Sequence, residues 1–289
     1  MGWAVGAPGS DRGAAAARKY TARMILASGS LLLPSGLAIA AYAFVAGAAE
    51  RAAGALRTVL VIGWVAHGVA VLVDIAGIGS GVAAARFGFA PALSATLWLV
   101  VAVYGIESRF VPLPGARRLL AAAALAAVAL AAVFPGEVRP HAESAWAPLH
   151  WLLGLASYGL FGAAVLHAAL LDAQERRMRL RAAGPVAVAA MPLLQLERLT
   201  FRFVTAGFVL LSAAIVMAIG FAPQWRWDHK SVFSLLGWAT FALLLTGRQA
   251  FGWRGRRATR WLYSGAALLL LAYVGSRFVF EVLLHRSPA

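Results

Sequence analysis

The sequence predicts an all-α fold, a polytopic transmembrane helical bundle of about eight spans with both chain termini on the outer face. Three observations carry that expectation. Only 13% of the residues are charged and the mean hydropathy is +0.78, whereas soluble domains average about 25% charged. The chain therefore lacks the polar surface to coat a globule in water. Apolar runs of roughly 20 residues recur, the length that crosses about 30 Å of hydrocarbon as a helix. Arginines gather in alternate connections between those runs, as the positive-inside bias requires.

The apolar runs are 24–48, 56–77, 89–107, 117–134, 148–172, 201–222, 231–247 and 259–284. Ahead of them, residues 1–23 are Gly/Ala-rich and carry Arg12, Arg18, Lys19 and Arg23. No compact apolar core precedes a cleavage site there, so the segment reads as a disordered lead-in rather than a signal peptide. That reading makes Met24 the natural start, with Met1 a mis-assigned one, and leaves 24–289 as one eight-span membrane domain. The fourth run, LLAAAALAAVALAAVF, is the weakest by length.

The connections after runs one, three, five and seven, together with the first residues of the runs that follow them, hold sixteen arginines; those after two, four and six hold only Arg86, Arg139, Arg226 and Lys230. The first set is expected in the cytoplasm. The basic lead-in pulls the other way and is outnumbered. The net charge of +15 is thus a signature of topology, with the lipid bilayer as partner and no nucleic acid.

The longest cytoplasmic connection, 173–199, starts basic, breaks at Gly184-Pro185 and ends in a turn expected to rest on the membrane surface. GWRGRR, 252–257, reads as a cytoplasmic anchor. GIGSG, 77–81, follows a membrane run rather than a strand and lacks the lysine of a phosphate loop, so it reads as a flexible link. The absence of cysteine excludes disulfides and thiolate metal sites. No nucleophile–base or carboxylate pair has a catalytic spacing, so an enzymatic role finds no support.

In this orientation four of the six histidines, His141, His150, His229 and His285, fall on the outer side. Two imidazoles approaching from opposite faces, with an aromatic wall beside them, are what an iron porphyrin needs. His150 and His285 open and close helices at the same membrane level. Trp225, Trp227 and Asp228 of the WRWDHK loop are candidates for the wall and for an acceptor that orients a neighbour. Tryptophans at helix ends also form interfacial belts, and outer histidines are often simply solvated; both readings stay open here.

Two polar stripes lie deeper. Arg277, Glu281 and His285 recur every four residues on one helix face, where Glu281 is placed to pair with Arg277 and orient His285. Trp64, His67, Val71 and Asp74 share a face of the second run, with His67 near mid-membrane. A ligand, a proton relay or a helix lock would each suit that stripe. His167 lies toward the cytoplasmic end of run five, close in sequence to Asp172.

The blocks FGFAPALSATLWLVVAVYGIESRF (87–110), PLHWLLGLASYGLF (148–161), WRWDHKSVFSLLGW (225–238) and GWRGRRATRWLYSGAALLLLAYVGSRFVFEVLL (252–284) resemble the CcsA/HemX-like cytochrome c assembly family, in particular its YpjD-type bacterial inner-membrane branch. The resemblance covers nearly all of the chain from about residue 24. It implies a non-enzymatic protein of the bacterial inner membrane that binds or handles haem at the outer face, beside other cytochrome c assembly proteins. Trp225, Trp227, Asp228 and Lys230 match the family's tryptophan-rich loop, His150 its outer histidine and His67 its mid-membrane histidine; His285 matches by position only.

There are departures from the family pattern. His229 and Ser231 replace a proline and a glutamate, and Thr246-Gly247-Arg248 stands where a histidine precedes the arginine. These leave a second expectation beside the first, a haem-free accessory or scaffold subunit that regulates a partner protein. A transporter using His67 and Asp74 is a third, without an inverted repeat to support it.

Overall fold

The computed structural model describes residues 33–48, 53–75, 84–109, 116–135, 137–140, 146–180, 193–221 and 227–279. The lead-in, Met24, His141, Trp225, Glu281, His285 and GIGSG lie outside the described residues. What is described is a helical bundle, as the composition predicts: α1 (Leu33–Gly47), α2 (Ala53–Ile75), α3 (Phe89–Glu107), α4 (Ala116–Val133), α5 (Ala147–Leu180), α6 (Leu193–Phe221), α7 (His229–Phe251) and α8 (Gly255–Leu270). The last runs on through a π-helical turn, Leu271–Gly275, into α9 (Ser276–Phe278). Helices α2 to α7 are each long and apolar enough to cross a membrane, and α1 is a shorter apolar helix. The chain is a multi-pass membrane protein.

Successive helices alternate in direction, and cross-links fix their levels. The Arg118 side chain at the start of α4 donates to the Ala48 carbonyl just beyond α1. His150 near the start of α5 reaches Ala214 in the last third of α6. At one end, β1 (Ala84–Phe87) and β2 (Glu137–Pro140) pair antiparallel from Ala84↔Pro140 to Phe87↔Glu137. Helical periodicity gives no hint of this ribbon, since both strands are only four residues long. We call this the ribbon end and the other the arginine-rich end.

The interior divides into two apolar cores. Tyr42, Val45, Leu60, Val100, Leu120 and neighbours knit α1 to α4, whereas Phe161, Val204, Phe241, Leu262 and Leu269 knit α5 to α8. Leu166, Leu171 and Leu196 carry the first core onto α5 and α6. Within the connection 173–199 the described residues are helical, and Gly184-Pro185 lies outside them. Residues up to Leu180 extend α5, and α6 begins at Leu193. Leu196 is wholly buried, because its apolar side chain completes the first core rather than meeting lipid headgroups.

Close helix contacts rest on small residues, as is usual where lipid gives no hydrophobic drive between helices. At Gly68 a Cβ would sit 2.8 Å from the Trp98 Nε1, so α2 and α3 meet only because that position is glycine.

Candidate functional site

His67 sits on α2 about 21 Å from its Ala53 end at 1.5 Å per residue and is buried to 1% exposure. Both ring nitrogens are engaged. The Tyr42 hydroxyl of α1 lies 3.2 Å from Nδ1, and the Ser94 hydroxyl of α3 lies 2.8 Å from Nε2. In either tautomer one nitrogen donates and the other accepts. The imidazole thus joins three helices, and Tyr42 also meets it ring edge to ring face at 5.7 Å.

One turn away, Trp64 and Trp98 stack at 5.1 Å with an interplanar angle of 3°. Each indole N–H donates to the other residue's carbonyl, at 3.1 and 3.0 Å. Asp74, further along the same face of α2, is buried as well. These contacts join α2 to α1 and α3.

His150 is placed differently. It lies in the first turn of α5, half-buried, and its Nδ1 is 3.0 Å from the Ala214 carbonyl of α6. A carbonyl accepts only, so Nδ1 carries the proton and Nε2 keeps its lone pair. This is the arrangement in which a ring nitrogen anchored by a backbone carbonyl presents the other nitrogen to a metal.

Asp228, Trp227 and Lys230 stand where α7 begins. The Asp228 carboxylate accepts from the Ser231 N–H at 2.7 Å and caps the helix. The aspartate of WRWDHK therefore has a structural task at the N-cap, where its side chain satisfies an N–H left over from the helix ladder. Trp227 is 73% exposed and His229 is exposed.

Two neighbours at this end were not found from the sequence. Tyr273, in the π-helical turn, has Lys230 Nζ 5.7 Å and Arg277 Cζ 6.0 Å from its ring centre. The signal existed, since Tyr273 continues the four-residue stripe of Arg277, Glu281 and His285 backwards. Tyr158 of α5 donates to the Leu269 carbonyl at 2.6 Å, where the α-helical ladder gives way to the π turn. Phe89 meets Phe134 and Phe278 at 5.4 and 5.3 Å, tying the start of α3 to the ends of α4 and α9.

At the arginine-rich end, His167 is fully buried with Nδ1 2.7 Å from the Ala163 carbonyl and Nε2 2.9 Å from the Glu107 carboxylate. Asp172, its neighbour in sequence, instead accepts from Tyr263 at 2.9 Å and Thr259 at 3.3 Å. Five residues on a helix are about 140° apart in azimuth, so the two face different partners. Glu197 pairs with Arg254 at 3.1 Å and with Arg248 at 3.6 Å, and Arg248 stacks 3.5 Å over Phe201.

The Thr246 position is also settled in direction. Thr246 is exposed on the bundle surface with its hydroxyl bonded to the Ala242 carbonyl at 2.9 Å. Next to it, Gly247 is covered by the Trp253 indole, which a Cβ would approach to 2.5 Å. A side chain at Thr246 points away from the interior, and one at Gly247 has no room. Among the described residues, no group of three or more His, Cys, Asp or Glu could hold a metal ion.

Residues 69–284 match the family model described as cytochrome C assembly protein. The chain is similar to the cytochrome c biogenesis protein CcsA of Synechococcus sp. (strain RCC307), 29% identical over 162 residues that cover 47% of this chain and 52% of that one. It is likewise similar to the inner membrane protein YpjD of Escherichia coli (strain K12), 30% identical over 172 residues, 57% of this chain and 64% of that one. The chain thus spans about half to just under two thirds of these relatives' lengths. No solved structure matches.

Proposed function

Because this chain belongs to the cytochrome c assembly protein family, we propose that it binds or handles haem at the outer face of a bacterial inner membrane, in cytochrome c biogenesis. The observation that carries the proposal is the hydrogen bond from His150 Nδ1 to the Ala214 carbonyl. It fixes the tautomer, so Nε2 would be the nitrogen offered to haem iron. Haem, when bound, would supply the iron centre and the group destined for a cytochrome. His285 would be a second histidine to hold haem and Trp225 and Trp227 would form the wall; Trp227 is exposed enough to take that part.

His67 does not fit as an open ligand in this arrangement, because Tyr42 and Ser94 hold both of its nitrogens. We assign it to the helix lock. The role throughout is that of an assembly factor: the residues orient and hold, and no bond-breaking step is asked of them. The alternate distribution of arginines supports taking the ribbon end as the outer one. Protein purified from haem-replete cells should show a Soret band, and His150→Ala should weaken it severely while the helical content stays unchanged. Colourless wild-type protein of normal helicity would sink the proposal.

A second reading, a haem-free scaffold subunit regulating a partner, is favoured by one pair of observations. The histidine-for-threonine departure falls on an outward-facing position, and the mid-membrane histidine is fully bonded. A stoichiometric partner that co-purifies with the wild type and with His150→Ala alike would support it.

A further inference from the structure

Helices α3 and α5 form a seam between the two halves of the bundle, and they meet closely. A Cβ at Gly159 would lie 2.7 Å from the Leu99 Cβ, and one at Gly162 would lie 2.6 Å from the Val100 Cγ2. The other polar contacts described so far join residues within α1–α4 or within α5 to α9; that between Glu107 and His167 crosses the seam. Glu107 is the last residue of α3, and its Oε2 lies 2.9 Å from Nε2 of His167 on α5. The His167 side chain is fully buried, whereas that of Glu107 is 15% exposed.

The second ring nitrogen tells what lies between them. Nδ1 is 2.7 Å from the Ala163 carbonyl, which only accepts, so Nδ1 carries a hydrogen. A neutral ring would then turn a bare Nε2 toward a carboxylate oxygen. The contact is close but not aligned as a hydrogen bond, and neither atom has another partner among the described residues. Without an added proton the pair also carries one net negative charge in a largely buried place. It would do so at the C-terminal end of α3, where helix carbonyls already present partial negative charge. One proton, on either atom, makes the pair neutral.

The charged groups of the surrounding helices are turned elsewhere. Asp172 of α5 goes to Tyr263 and Thr259 of α8, and Glu197 of α6 to Arg248 and Arg254. Arg118 of α4 reaches the Ala48 carbonyl, and Arg117 has a partner of its own. Arg57 of α2, Arg109 after α3, Arg176 of α5, Arg198 and Arg202 of α6 and Arg260 of α8 are exposed. From α6 the imidazole meets the Phe203 ring at 5.2 Å.

We propose that Glu107 and His167 form a proton-binding site, and that the proton it holds clamps α3 to α5 at the arginine-rich end. The partly exposed carboxylate is where the proton enters and leaves. Once the proton is gone, the unbalanced carboxylate is drawn toward water and the end of α3 parts from α5. This site is independent of haem.

Detergent-solubilised full-length protein is unfolded in mixed micelles across about pH 5 to 9, a range that brackets the ordinary titration of imidazole. The folded protein holds a proton that the unfolded chain gives up, so its unfolding equilibrium constant should grow with pH. The growth should approach about tenfold per pH unit where the two states differ by one whole proton. In Glu107→Gln the amide N–H can donate to Nε2 with no added proton, so the variant should fold and lack that part of the growth. The chain has no cysteine, so Arg109→Cys/Arg176→Cys, both at exposed positions, take a spin-label pair at the ends of α3 and α5. Their distance distribution should broaden toward the alkaline limit with Glu107 in place and keep its acid-side form with Glu107→Gln. A pH profile shared by wild type and Glu107→Gln overturns the proton site. A label distribution with Glu107 in place that is the same at both ends of the range overturns the clamp.

Discussion

Replacing the buried imidazole of His67 distinguishes a helix lock from an iron ligand by the size and pattern of the stability loss. Tyr42→Phe and Ser94→Ala each remove one hydrogen bond to the ring, at 3.2 and 2.8 Å, and little volume. Interhelical hydrogen bonds inside membranes contribute about 0.6 kcal/mol on average and up to about 1.7. Both contacts here are buried, so each variant should lose about 1 to 1.5 kcal/mol. His67→Ala breaks both and empties a site exposed to only 1%. Adding the cavity left by a truncated core side chain brings the expected loss to about 3–5 kcal/mol.

The assay is reversible unfolding in mixed micelles, read by helical signal, for the three single variants and for His67→Ala/Tyr42→Phe. The double variant should lose about 1 kcal/mol less than the sum of its parts, because one bond is counted in both. None of the losses should depend on haem in the growth medium. Additive losses would refute the lock, and so would a His67→Ala protein as stable as wild type when grown without haem.

Three further outcomes follow from contacts at the helix ends. Asp228→Ala removes the α7 cap and should cost about 1 kcal/mol, with Soret intensity at the wild-type level; a spectrum lost at unchanged stability would return Asp228 to the ligand pocket. Gly247→Leu drives a Cβ into Trp253, 2.5 Å away, and should lose about 1–3 kcal/mol by overpacking while breaking the Trp253–Trp261 stack at 5.6 Å, visible as a changed tryptophan emission. Because the chain has no cysteine, His229→Cys and Arg256→Cys are clean single labels, both at exposed sites. A membrane-impermeant maleimide added to intact cells should modify the first and spare the second; the reverse pattern would invert the topology.

The helices were legible because each rests on a local property, an apolar run long enough to satisfy its own backbone in lipid. The contacts that make the site were not, and the reason is distance. Tyr42 and Ser94 lie 25 and 27 residues from His67 on other helices, and no periodicity links them. Trp64 and Trp98 likewise trade hydrogen bonds across 34 residues. Asp228 was legible in a different role, since an aspartate three residues before a serine at the head of an apolar run is an ordinary helix start. Its place beside two tryptophans drew attention to chemistry instead. The π turn had no sequence signal at all: Leu-Ala-Tyr-Val-Gly is as apt for an α-helix.

The small ribbon has a mechanical consequence. By pairing the strand before α3 with the strand after α4, it closes the α3–α4 hairpin into a loop fastened at its open end. A helix held this way resists sliding along its own axis. Ser94 and Trp98 ride on α3, so their height in the membrane is set by that fastening, and any rearrangement around His67 has to come from α1 and α2 moving past a stationary post.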